Sequence, residues 1–138
     1  MKLFSSLAGG SAMGLALLIA AAIPVHAAMA AKPQLKKITA KGELLDMACY
    51  STMGMTGRAH GKSCGKKCLA SGLPAGIMIG GQAYTLLTNP KPLARYVGVE
   101  IKVTGKEDAK DKVIFPAKIW WRMGSMWMKV HLKDNLHQ

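Results

Sequence analysis

The chain is 138 residues long, with 19 Lys and Arg against 7 Asp and Glu and a formal charge of +12. Once a leader is removed, that length excludes more than one substantial core. The charge predicts attraction to an anionic partner (a protein, a cell-wall polymer or a membrane surface), but its scatter along the chain argues for a solvated basic surface and against nucleic acid.

Residues 1–30 read as a secretory signal. Lys2 supplies the positive n-region, and Met13 to Ile23 the apolar h-region. Val25-His26-Ala27 and Ala28-Met29-Ala30 both fit a small-residue cleavage site. The h-region is short for a membrane span of about 20 residues. Cleavage near 27–30 and a periplasmic or secreted protein, without a stable span, are therefore expected. Residues 31–36 are expected to form a mobile lead-in, 37–132 one small domain, and 133–138 a polar tail.

Within the domain, Ile38, Ala40, Gly42 and Leu44 alternate with polar residues. This predicts a strand over 37–47, with Gly42 at a bend or bulge. Cys49 lies at its exit. Ala75 to Ile79 and Ala83 to Leu87 read as a hairpin joined at Gly80-Gly81. Leu93 to Tyr96 suits one helical turn. Val99, Ile101 and Val103 mark the next strand, and Lys106 to Lys112 a charged turn. Val113, Phe115, Ala117 and Ile119 read as the inward face of the following strand, with Pro116 arguing for an edge or bulge. Met126, Met128, Val130 and Leu132 alternate again, so core packing is expected of these two methionines.

One helix is expected, over about 64–71, with Ser63 as N-cap and Gly72 as C′ residue. Strands without long crossover helices predict a mainly β fold, a small antiparallel OB-like barrel of five to six strands. A helix after the first strand is early for an OB fold, where it usually lies between the third and fourth.

All three cysteines fall in CYSTMGMTGRAHGKSCGKKC, residues 49–68, within an insert over 49–72. His60 sits between them. On one continuous helix His60 and Cys68 would lie roughly 12 Å apart along the axis, too far for one ion with bonds of about 2.0–2.3 Å. With His60 in a loop before the helix, Cys49, His60, Cys64 and Cys68 could form a Cys3His tetrahedron for zinc or for cuprous ion. A structural disulfide with one spare thiol competes, because exported proteins are usually oxidised. A redox-active pair is the third reading, since Lys62, Lys66 and Lys67 would favour thiolate at Cys64.

The run Gly42-Glu-Leu-Leu-Asp46-Met-Ala-Cys49-Tyr50, then His60, Cys64-x-x-x-Cys68 and Gly72-Leu73-Pro74, resembles a pattern in small exported bacterial proteins of uncharacterised function. The resemblance implies an OB-like domain with a Cys/His insert whose four residues act as a unit. It implies no ligand and no activity.

Met53 and Met55 lie in the insert, where thioethers would suit cuprous ion. Trp120 and Trp127, beside Arg122, Lys129 and His131, either close a barrel end or face outward as a docking surface for an anionic partner. Asp46 and Glu43 are the acids near the cysteines. No orienting group for a Cys–His nucleophile is evident, so no enzyme is expected. The residues are read as those of an exported metal-binding barrel. The alternative is a disulfide-stapled module that docks through the basic, Trp-bearing face.

Overall fold

The computed structural model describes residues 34–132. The expected signal segment and the polar tail lie outside the described residues. The six strands are β1 (Lys36–Asp46), β2 (Ala75–Ile79), β3 (Gln82–Leu86), β4 (Glu100–Asp108), β5 (Val113–Met123) and β6 (Met126–Lys129). They form one sheet in the order β3-β2-β1-β4-β5-β6, with these neighbours antiparallel. β3 also meets β5 through two parallel pairs, Thr85↔Val113 and Leu86↔Ile114. The pairing circuit β1-β2-β3-β5-β4 thereby returns on itself through a short ladder. The mainly β fold expected from the alternating patterns is what forms.

The core is the inward face of this circuit. Leu44, Ile77, Leu86, Ile101, Val103, Ile114 and Ile119 meet Leu69, Leu93 and Val97 from the connecting segments. Each fully buried aliphatic side chain here contributes roughly 1.5–3 kcal/mol. A 3₁₀ helix (Lys91–Tyr96) lies between β3 and β4, the usual place for the OB helix. It presents Leu93 and Ala94 to the core.

β5 departs from the expected inward face. Ile114 and Ile119 are buried, whereas Phe115 and Ala117 are exposed and Val113 is half-buried. The ladder to β4 shifts between Thr104/Gly105, pairing Gly105 with Pro116 and Thr104 with Lys118. Ala117 is the extra residue, and a single extra residue reverses which parity faces inward. Pro116 therefore marks a bulge. Met126 and Met128, expected in the core, are exposed at 57% and 42%. β6 pairs only with β5 and is an edge strand. β4 also runs further than expected, to Asp108, whose Oδ1 accepts the Lys110 and Asp111 N–H groups and so sets the turn.

At the end of β1 the alternation stops. Leu44, Leu45 and Asp46 are all buried. Leu44 belongs to the core cluster and Leu45 does not. Both faces of β1 are covered here because helical segments of the insert pack against it. The insert is thus fixed to the strand end that carries the candidate site.

Candidate metal centre

The insert contains α1 (Met47–Met53), α2 (Gly57–His60), a π-turn (Gly61–Gly65) and α3 (Lys66–Ala70). Asp46 caps α1, accepting the Ala48 N–H at 3.0 Å through Oδ1. Cys49 follows three residues later, on the same face and one turn on. Residues 57–70 run as one helical stretch, so the helix expected over 64–71 begins earlier, at Gly57. Ser63 is not its N-cap. It sits mid-helix, where its Oγ donates back to the Ala59 and His60 carbonyls at 3.2 and 3.1 Å. Such back-bonding competes with the regular ladder, and a π-turn lies at this point.

The C-terminus of the run matches the expectation. Gly72 has φ +100, the Leu73 N–H reaches the Cys68 carbonyl at 3.0 Å, and the Gly72 N–H reaches Leu69 at 3.1 Å. These two bonds make a Schellman cap. The helical run lies close against the loop before β4. A Cβ on Gly61 would fall 2.0 Å from the Val97 carbonyl oxygen, so only glycine permits this approach.

Three sulfurs converge. Cys49 Sγ lies 3.5 Å from Cys64 Sγ and 4.0 Å from Cys68 Sγ, and the latter two are 3.6 Å apart. All three cysteines are free thiols. A disulfide would need about 2.05 Å. A tetrahedral ion with bonds of about 2.3 Å sets its sulfurs roughly 3.8 Å apart, close to what is found. The ligand atoms of Asp46, Cys49, Cys64 and Cys68 all lie within 4.8 Å of one another. Among the described residues this is the group arranged to hold a metal ion.

Of the residues singled out from the sequence, Cys49, Cys64 and Cys68 come together. His60 lies outside the four-residue group. It sits inside the helix, one turn before Cys64, with its Nε2 3.5 Å from Asp46 Oδ2. Asp46 was visible in the sequence as a nearby acid but had no assigned role. Its signal was positional: a good N-cap residue three before a cysteine. Met53 and Met55 are exposed.

The polar groups of this corner are incompletely satisfied. Asp46 is fully buried, and its Oδ2 has no hydrogen-bond partner. His60 is 4% exposed, and neither ring nitrogen has one. Unpaired buried polar groups cost free energy, and a bound ion satisfies them. Burial works to raise the Asp46 pKa, but the thiols of Cys49 and Cys68 and the N–H groups of Cys49 and Ala48 outweigh it, leaving the carboxyl below its usual value. The Cys49 thiol is pushed far up by the Asp46 carboxylate, by Cys64 and by burial. Cys68 is pushed up to about 11, by burial first and then by Asp46. Without a cation, Cys49 and Cys68 hold their protons. A divalent ion would reverse this, because thiolate is the ligand form.

The indoles take another part of the sheet. Lys102 Nζ stands 4.7 Å from the Trp120 ring centre and 5.2 Å from that of Trp127, and Lys41 Nζ is 5.6 Å from the latter. Trp121 stacks on Tyr96 at 5.0 Å. No protein-family model, curated protein or solved structure matches the chain.

Proposed function

We propose that the chain is an exported protein that holds one thiophilic transition-metal ion at the end of its first strand. Cys49, Cys64 and Cys68 supply the sulfurs. Asp46 supplies an oxygen, and His60 stands behind it as the group that orients the carboxylate. The sulfur spacing of 3.5–4.0 Å carries this reading. Thiolates suit zinc and cuprous ion alike, whereas a carboxylate oxygen favours zinc. The ion ties α1 and α3 to β1. Cys64 is exposed while Cys49 is buried, so a carrier role, with exchange through Cys64, is compatible with the same centre.

The set with His60 as fourth ligand competes, supported by its two unpartnered ring nitrogens. It requires the imidazole to move toward the sulfurs, since His60 lies outside the gathered group although its Nε2 is 3.5 Å from Asp46 Oδ2. Zinc titration of the reduced chain by native mass spectrometry tests the proposal. One ion per chain, lost in Cys49→Ser, is the expected outcome. Asp46→Asn then weakens binding more than His60→Ala; the opposite order would favour the His60 set. No binding by the reduced protein would sink both.

A second reading has one specific observation behind it. Lys41, Lys102, Trp120 and Lys129 stand in one cross-strand row over β1, β4, β5 and β6. Such a row offers an anionic partner a basic face with indole surface. Loss of that partner on Lys102→Glu, with metal binding intact, would support it.

A further inference from the structure

A separate concavity lies beside the helical run. Arg58, Lys62 and Lys66 follow one another at intervals of four, and Arg95 comes from the 3₁₀ helix. All four line one hollow of about 300 Å³, completed by Gly61, Val97 and Val99. Its lining holds four cations and no carboxylate. Among the described residues, the ion pairs are His60–Asp46 and Arg122–Glu100. None of the four cations is neutralised that way. Glu43, which accepts the Gly57 N–H at the start of the run, is not among the lining residues.

The backbones that carry the cations lie close together. Gly61 is pressed against the Val97 carbonyl, and Gly98 against Gly57. Arg95 is further placed by its own neighbour, its guanidinium carbon 5.6 Å from the Tyr96 ring centre. The result is a preformed positive hollow with an apolar floor of two valines.

We infer that this hollow binds a small polyanion bearing phosphate or phosphate-like oxyanion groups. Two guanidinium forks match such oxygens bidentately, and the two lysines add point charges. The volume sits at the lower end of small-molecule sites, which run from roughly 300 to 1,000 Å³. That size favours a headgroup-sized anion over a polymer. None of the metal-centre residues lines the hollow, so this site stands without the metal reading.

The test is a titration of the full chain with pyrophosphate at fixed ionic strength, followed by backbone amide NMR. Saturable shifts are expected around Lys62, Lys66 and Val97. Arg58→Gln and Arg95→Gln should each weaken binding about tenfold, the loss of one charged hydrogen bond. Lys110→Gln, the same charge change in an exposed turn away from both basic faces, should leave it unaltered. Vesicles of phosphatidylglycerol in phosphatidylcholine distinguish a lipid-borne phosphate from a free one. Vesicle binding that is lost in Arg95→Gln, without any response to pyrophosphate, would overturn the free-anion assignment. A non-saturating response, or equal losses from Lys110→Gln and Arg95→Gln, would overturn the site itself and leave only general basic charge.

Discussion

The sheet and the insert are stabilised by opposite means. The sheet buries Leu44, Ile77, Ile101 and Ile119 completely and pairs its backbone strand to strand. The insert is built from the seven-residue α1 and one helical stretch over 57–70 that is interrupted by a π-turn, lengths that are marginal in water without packing. It buries Asp46 and His60 with atoms unpaired and brings three thiols together. Unpaired buried polar groups of this kind are what a bound ion would satisfy.

Four perturbations separate the two regions. The largest effect is expected from metal removal. Structural zinc contributes about 10–16 kcal/mol in peptides that fold around it. Chelation should therefore expose amides 47–70 to hydrogen exchange while β1, β4 and β5 stay protected. Uniform loss of protection would mean that the two regions are one cooperative unit. Next is Leu44→Ala, a cavity in the shared core costing ~2–5 kcal/mol. Denaturant melts should show the loss with or without metal, and metal stoichiometry should not change.

Smaller is Gly61→Ala, which forces a methyl group onto the Val97 carbonyl and should cost ~1–3 kcal/mol. The metal-bound form should partly recover, because the ion clamps the same run. His60→Ala should lower metal affinity by roughly 10–100-fold while sparing the metal-free melting temperature, the signature of a group behind a ligand. pH adds a sign that can be checked on metal-free protein. Cys68 is raised from 9.0 to about 11, so its folded form holds the proton more tightly than the unfolded chain. Its contribution is complete below pH 9 and is lost as pH rises toward 11. Asp46 is lowered, so its contribution is present above its ordinary value and fades in acid. Stability that kept rising above pH 9 would contradict the cysteine environment.

Much of the sheet could be read from the sequence because its signals are local. β1, β2 and β3 lie within a residue of their expected bounds, and the Gly72 stop holds. β5 could not be read that way, because a bulge at Ala117 reverses the parity on which alternation depends. Met126 and Met128 have the right period, but only the pairing order shows that β6 is an edge strand.

The site was half legible. Three cysteines within twenty residues announce a cluster, but their convergence depends on β1 delivering Asp46 and Cys49 to the helical run. Ser63 misled because it is a good cap residue used here for back-bonding. That error placed His60 in a loop. With the helix continuous, His60 lies outside the group of four whose ligand atoms gather, and that group includes the carboxylate one turn before Cys49.

X-ray absorption at the zinc edge, on the reduced chain loaded with one equivalent, tests the centre most directly. Three sulfurs near 2.3 Å and one light oxygen or nitrogen scatterer are expected, with the light scatterer lost or lengthened in Asp46→Ala and kept in His60→Ala. A shell of two or fewer sulfurs, or an unchanged spectrum in Asp46→Ala, would contradict a centre built on Asp46, Cys49, Cys64 and Cys68.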